Sequence, residues 1–197
     1  MKILYVRGNP RDNGVTEIVG TLFLRGLKKG GADILDFRLS EKNIGDCRGC
    51  FACSAGFDRC GKCVIDDDMA EAVEFLDSAD ALVCLSPVYF YSMSAQMKRF
   101  FDRCFPFVRG YRFDSENGKM LNETGFEKKN KKFVSISVAS GRHDDVFEAL
   151  SHTYKMIADA MGFEYVADIT RGESAYFAMR ELGSVRVRKV LYAFESA

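Results

Sequence analysis

The chain has 197 residues, 47% of them hydrophobic, and its 28 basic and 28 acidic side chains cancel to zero net charge. That length suits one domain spanning residues 1–197, burying roughly 70% of the surface of the unfolded chain. The charge balance argues against nucleic acid, because the one basic run, Lys128 to Lys132, is short and broken by Asn130. No apolar run approaches the ~18 residues of a membrane span. Ile3 to Val6 is also too short for a signal-peptide core, so a soluble, cytoplasmic protein is expected.

Ile3 to Val6 reads as the first strand. Gly8-Asn9-Pro10-Arg11-Asp12-Asn13-Gly14-Val15-Thr16 then leads into a helix. There Val15, Ile18, Val19, Leu22, Phe23 and Leu27 recur at helical spacing, and Gly30-Gly31 supply the stop. A strand that turns sharply into a helix leaves the first helical N–H groups unpaired and aimed at one spot, where the peptide dipoles add positive charge. Such a spot suits phosphate. Arg11 adds a formal charge, Asn9 and Thr16 add side-chain hydrogen bonds, and Gly8 and Gly14 permit the turns. A plain surface turn would use the same Gly, Asn, Pro and Asp. Without Gly-Lys-Ser/Thr or G-x-G-x-x-G, nucleoside triphosphates and dinucleotides are disfavoured.

Ile34 to Leu39 reads as the second strand, followed by a loop rich in cysteine. Five of the seven cysteines (Cys47, Cys50, Cys53, Cys60 and Cys63) fall within 17 residues. In a reducing compartment this clustering favours metal, iron–sulfur or thiol redox chemistry over disulfides. Cys47-x2-Cys50-x2-Cys53 followed by Cys60 has the compact form of a [4Fe–4S] site. Cys47 and Cys50 with Cys60 and Cys63 would equally suit tetrahedral zinc, and free redox-active thiols are the third reading. Cys84 and Cys104 lie in apolar patterns and read as core.

Asp66 to Asp68 offer N-caps for a helix carrying Met69, Val73, Phe75 and Leu76. Ala81 to Leu85 is a continuous apolar run, as expected of a strand covered on both faces. Ser86 to Ser92 follows as a loop, then a helix with Met93, Met97, Phe100, Phe101 and Cys104 on one core-facing side. Residues 105–130 are too aromatic for a solvated linker and too rich in glycine for one long element, which suggests a functional or interface segment. Phe133 to Val138 reads as a strand, leading to the loop Ala139-Ser140-Gly141-Arg142-His143. A helix from Val146 to Met161, ended by Gly162, precedes a fifth strand from Phe163 to Ile169, and Val187 to Phe194 mark a closing helix.

Strands alternating with helices indicate a single doubly wound α/β domain with a five-stranded parallel sheet. The loops after the first four strands should converge at its carboxyl edge, where ligands bind. A phosphate site at Asn9 to Thr16, facing the aromatic Pro87-Val88-Tyr89-Phe90 with Ser92 and the fourth loop's Ser140, Gly141 and His143, suits FMN. FMN has a dianionic phosphate and a flat ring with hydrogen-bonding edges. Core packing is the alternative for Tyr89 and Phe90. A hydrolase using Ser140 or Ser86 with His143 or His152 is disfavoured because no G-x-S-x-G is present.

Gly8-Asn9-Pro10-Arg11 with Thr16, Asp67-Asp68-Met69, Ser86-Pro87-Val88-Tyr89-Phe90 and Ser94-Ala95-Gln96-Met97-Lys98 with Asp102-Arg103 resemble the flavodoxin-like NAD(P)H-dependent FMN reductases. The cysteine segment resembles their iron–sulfur flavoprotein branch. The resemblance implies strand order 2-1-3-4-5, FMN held by the loops above, and a homodimer or homotetramer. Three positions depart from the family pattern: Asn9 replaces a usual serine, Val15 an asparagine, and Tyr91 a small residue. In that branch the last cysteine runs directly into a Val-Ile-Asp-Asp-Asp-Met-like segment, a place held here by Cys63. The expected function is therefore electron transfer from NAD(P)H or a reduced protein donor, through FMN, to a small acceptor. The alternative is an electron carrier that docks to ferredoxin-like partners. The aromatics of Phe105 to Phe113 would form an exposed apolar patch unless subunits cover them.

Overall fold

The computed structural model describes residues 1–53, 62–116, 118–126, 129–141 and 145–174. Five parallel strands form its main sheet: β1 (Lys2–Arg7), β2 (Asp33–Arg38), β3 (Ala81–Tyr89), β7 (Lys132–Val138) and β8 (Glu164–Arg171), in the order β2-β1-β3-β7-β8. Counting these strands alone gives the expected 2-1-3-4-5. A two-residue strand, β4 (Ser92–Met93), folds back antiparallel onto the end of β3. A separate antiparallel hairpin pairs β5 (Val108–Asp114) with β6 (Lys119–Thr124). The helices are α1 (Val15–Lys29), α2 (Met69–Ser78), α3 (Ala95–Asp102) and α4 (Asp145–Ala160), with 3-10 turns at Leu39–Glu41 and Phe105–Phe107. None of the described helices is long and apolar enough to cross a membrane.

Alternation along the central strands divides the core between two faces. Leu4, Val6, Leu82 and Cys84 pack with Met69, Leu76, Met97, Phe100, Leu150 and Tyr154 of α2, α3 and α4. Ile3, Tyr5, Val83 and Leu85 pack with Val19 and Leu24 of α1. Cys84 and Cys104 are buried as expected, and burial pushes both thiols well up. His152 is exposed on α4. Lys131 is buried too, and its ammonium donates to the carbonyls of Leu76, Asp77 and Ala79 at 2.6–2.8 Å, a positive charge at the negative end of α2.

Several expectations are corrected. Ser86 to Tyr89 continue β3 instead of forming a loop, and Pro87 is buried opposite Val138. β1 accompanies β3 only as far as Leu85, so a proline's missing N–H is tolerated beyond it. Met93 lies on β4, ahead of the helix, although it reaches the same core as Met97 and Phe100. Asp68, at the N-cap position of α2, makes no cap bond and accepts from the Asn43 amide at 2.6 Å, whereas Asp67 accepts from the amide of Met69, the first residue of α2, at 3.1 Å. Within 105–130, Phe107 is buried and stacked on Phe126 with ring centroids 4.0 Å apart, so it is not part of any exposed aromatic patch, whereas Phe113 is exposed. The expected closing helix and Cys60, Arg142 and His143 lie outside the described residues.

Candidate functional site

At the carboxyl end of β1 the chain turns into α1 with Gly14 as its N-cap residue and no side-chain cap. The first helical bond runs from the Ile18 amide to the Gly14 carbonyl at 3.2 Å. The amides of Val15, Thr16 and Glu17 therefore have no partner within the helix. A Cβ on Gly14 would stand 3.9 Å from Arg11 Nη2, so the guanidinium lies over the helix start. Two neighbouring arginines are committed to carboxylates. Arg7, buried, bonds Glu17 at 2.5 Å and also Asp36, and Arg38 bonds Asp12 at 2.6 Å and Glu41 at 3.0 Å. Burial would lower the Arg7 pKa, but the bond and charge of Asp36 outweigh it and raise it. Arg11 has no ion pair among the described residues and is the cation left for an anionic ligand.

Asn9, expected at the phosphate, makes its own contacts within the loop. It is buried, and its amide donates to the Arg11 carbonyl and to Glu17 Oε2, both at 2.9 Å, so it shapes the loop and orients Glu17. Its Oδ1 is buried without a partner among the described residues, which leaves room for a hydroxyl donor. Asn13 is exposed, and Val15 and Thr16 are half-buried at the helix start.

The first loop is locked to the end of β3. The Gly8 amide donates to the Leu85 carbonyl at 2.8 Å, and Ser94 Oγ donates to the Gly8 carbonyl at 2.6 Å. Ser94 also caps α3 by accepting from the Met97 amide at 3.2 Å, while its own amide donates to Ser86 Oγ at 2.9 Å. A Cβ on Gly8 would stand 2.9 Å from Ser94 Oγ and 3.0 Å from Met97 Cβ, so only glycine permits this approach. The helix was expected to include Met93, which hid Ser94 as its cap, and the bond from Ser94 across to the first loop leaves no sequence signal.

Between β3 and β4 the chain reverses in two residues, Phe90 and Tyr91, at φ 50° and 63°. Both central residues are left-handed, as in a type I′ hairpin turn, a conformation that favours Asn and Gly. Here it carries two aromatics. Phe90 is 98% exposed, and Tyr89, Tyr91 and Ser92 are exposed as well; Val88 is half-buried. Ser140 is exposed and Gly141 half-buried in the loop after β7, where the Gly141 carbonyl accepts from the Glu173 amide at 2.8 Å. Open helix amides, a free guanidinium and a projecting aromatic turn are thus bound together at one edge of the sheet. They fit FMN, a phosphate monoester joined by a polyhydroxyl chain to a flat ring.

The cysteine loop takes another place. Cys47, Cys50, Cys53 and Cys63 line a cavity of about 760 Å³ together with Phe51, Phe101, Phe105, Met156 and Met161. Residues 9–16 and 87–92 are not among its lining residues. Helices that follow parallel strands run back from the carboxyl edge, and the cavity is lined by the α4 stretch from Thr153 to Ala160, roughly 12 to 22 Å along that helix. Cys47, Cys50, Cys53 and Cys63 therefore share a cavity with residues of α3 and α4, whereas the expectation had the cysteine loop facing the first loop across the edge. Cys47 and Cys50 are exposed, Cys53 and Cys63 partly covered. Burial, followed by the nearness of Cys63, pushes the Cys53 thiol up. No three ligands already converge as a metal site among the described residues, while the donor set, four thiols around one cavity, has the chemistry of a cluster or zinc site.

The profile of the NADPH-dependent FMN reductase family matches residues 1–171. An iron-sulfur flavoprotein of Archaeoglobus fulgidus is 36% identical over 107 residues, covering 54% of this chain and 47% of that protein. Another, of Methanosarcina thermophila, is 31% identical over 144 residues, covering 73% and 65%. The chain spans about half the length of the first of these relatives and under two thirds of the second. Among solved structures, an FMN-dependent NADH-azoreductase from Bacillus anthracis in complex with FMN superposes with TM-score 0.69 at 15% identity, over 100% of this chain and 99% of that one. An NAD(P)H:quinone oxidoreductase from Methanothermobacter marburgensis gives 0.66 at 18%, over 100% and 94%. At these identities the structural likeness is one of fold.

Proposed function

This chain belongs to the NADPH-dependent FMN reductase family, and from that premise we propose that it is an FMN-dependent oxidoreductase passing electrons from NAD(P)H or a reduced protein donor to a small acceptor. The observation that carries the reading is the start of α1 beneath Arg11, which has no ion pair among the described residues, tied through Gly8 and Ser94 to the aromatic turn. Bound FMN would supply the redox chemistry, taking electrons as a pair and releasing them together or singly.

The residues do the holding and orienting. The amides of Val15 to Glu17 and the Arg11 guanidinium would bind the phosphate, with the Thr16 hydroxyl as a further donor. The Ser94 bond to Gly8 keeps the phosphate end and the aromatic turn at a fixed separation. Tyr89, Phe90 and Tyr91 would lie against the ring and exclude water from one side of it. Ser140, Gly141 and His143 are proposed at its polar edge. Charge-assisted hydrogen bonds contribute about 1.5–3 kcal/mol each, so the double variant R11A/T16V should release FMN in a fluorescence titration. Wild-type affinity in that variant would put the phosphate elsewhere.

A second reading, an electron carrier serving ferredoxin-like partners, is favoured by the thiol-lined cavity. In it Cys47, Cys50, Cys53 and one of Cys60 or Cys63 hold a [4Fe–4S] cluster, or zinc takes the tetrahedral set. Iron and acid-labile sulfide in anaerobically prepared protein test the cluster, one zinc per chain would favour the alternative, and steady-state NAD(P)H oxidation separates enzyme from carrier. A cytoplasmic homodimer or homotetramer completes the proposal, with the exposed Phe113 and its neighbours in the contact; a monomer by sedimentation would refute that part.

A further inference from the structure

Arg103 stands just past the end of α3 with a fully buried side chain. Its Nη1 donates to the Gly45 carbonyl at 2.8 Å and to Asp67 Oδ2 at 2.7 Å. Its Nη2 donates to Asp67 Oδ1 at 3.0 Å and reaches the Ile65 carbonyl at 3.4 Å. Gly45 lies two residues before Cys47, and Ile65 two residues after Cys63. One planar group thus holds both ends of the cysteine loop, using the fork geometry that a lysine lacks. Arg99, bonded to Asp46 at 2.7 Å, ties the loop's start to the same helix. Cys63, two residues before Ile65, lines the same cavity as Cys47, Cys50 and Cys53.

We propose that Arg103 is the positioning residue of the thiol site: it clips both ends of the cysteine loop to α3 and so fixes Cys63 beside Cys53 as the fourth sulfur of the set Cys47, Cys50, Cys53 and Cys63. The inference rests on reading these thiols as a metal or cluster site. Arg103 holds the Gly45 and Ile65 carbonyls that frame the cysteines, so it acts through the loop ends. Its loss should loosen the set before it disturbs the core.

Two readouts on reduced, metal-free protein test this: titration with Co(II), whose charge-transfer band reports bound thiolates, and alkylation rates of individual cysteines by mass spectrometry. R103M should weaken Co(II) binding by about 10- to 100-fold, as loss of a ligand-orienting group does. Cys63 should alkylate about tenfold faster as the loop end opens locally. Cys84 and Cys104, buried in the core, should stay protected and so report intact folding. R103K, which keeps the charge but not the fork, should fall between, and C63S should lose one thiolate from the Co(II) band where C60S does not. An unchanged Co(II) spectrum and unchanged Cys63 alkylation in R103M would overturn the proposal, as would loss of the thiolate in C60S instead. If R103M also exposes Cys84 and Cys104, R103K decides, and wild-type behaviour in both readouts would overturn the clamp. If the wild-type protein takes up neither Co(II) nor a cluster, the metal reading fails by itself, and the alkylation comparison still decides whether Arg103 fixes Cys63.

Discussion

At the first loop the main chain does the holding, with open helix amides, a glycine that lets β1 approach α3, and a serine bonded to a carbonyl. At the cysteine loop the holding falls to side chains, above all one guanidinium against one carboxylate and two carbonyls. The first arrangement is fixed by the backbone itself. The second brings four thiols around a cavity but does not yet converge them. A site made of backbone should therefore fail in small steps when its side chains are trimmed, and a site hung on one buried ion pair should fail abruptly.

The largest expected effect is accordingly at the ion pair. R103M leaves Asp67 buried without its cation, a loss that costs about 3–5 kcal/mol when a buried pair is broken from one side. Urea unfolding measures it. Replacing both partners by apolar residues (R103M/D67L) should recover much of the loss, since it removes the stranded charge. A cost for R103M below about 1 kcal/mol would place the pair with exposed salt bridges and remove the contrast between the two regions.

Next comes the close approach at Gly8. In G8V the new carbons would meet Ser94 Oγ and Met97 Cβ, and Met97 Cβ cannot swing aside. Overpacking of this kind costs about 1–3 kcal/mol. Because the same contact fixes the first loop against the aromatic turn, FMN retention should fall along with stability. S94A, which removes a cap and the bond to Gly8 but adds no bulk, should cost less, about 1 kcal/mol. If S94A proves worse than G8V, side-chain bonding governs this region too.

This contrast also explains what could be read from the sequence. The strand order followed from the family resemblance, whereas the parallel sheet and the turn from β1 into α1 were legible, because glycines, apolar runs and helical spacing record backbone geometry directly. Arg103 and Asp67 were not: they lie 36 positions apart, and nothing periodic links a residue past a helix end to one before another helix. The Asp66 to Asp68 run looked like capping choices, and Asp67 does accept from the Met69 amide at the start of α2, but nothing in the run shows that it also binds Arg103 and the Gly45 amide. The bond from the Asn9 amide to Glu17, eight positions on, was not legible for a related reason. The hairpin of β5 and β6 was hidden by glycines and by a register shift between Val108 and Gly110, which breaks the alternation a strand would show.

A smaller effect sharpens the ion-pair side through pH. Burial alone would raise the Asp67 carboxyl, but the bonds from Arg103, Gly45 and Met69 outweigh it and hold its pKa below the usual aspartate value. A lowered folded pKa gives stability that is complete above the unfolded value of about 3.9 and is lost as pH falls through the folded one. Wild-type stability should therefore drop more steeply than that of D67N in the acid range, and the two should run parallel between about pH 6 and 8. Parallel curves in acid as well would mean that the carboxylate contributes nothing through its charge.

The smallest effect tests the backbone side at its one strained point. Phe90 and Tyr91 both hold left-handed backbone angles in a turn that Asn-Gly would occupy without strain. A side chain in that conformation costs about 1 kcal/mol, yet the turn spends it on presenting aromatics to solvent, where they gain no burial. Strain of this kind persists where it serves a ligand, and here that ligand would be the flavin ring. The double substitution F90N/Y91G should therefore raise the melting temperature of FMN-free protein, by the equivalent of about 0.5–1 kcal/mol, and weaken FMN binding at the same time. Opposite signs for stability and affinity are the signature sought, because a purely structural turn would improve in stability and leave affinity alone. A variant that is more stable and binds FMN as tightly as the wild type would show that the phosphate end, made of main-chain amides and Arg11, carries the binding without the aromatic turn.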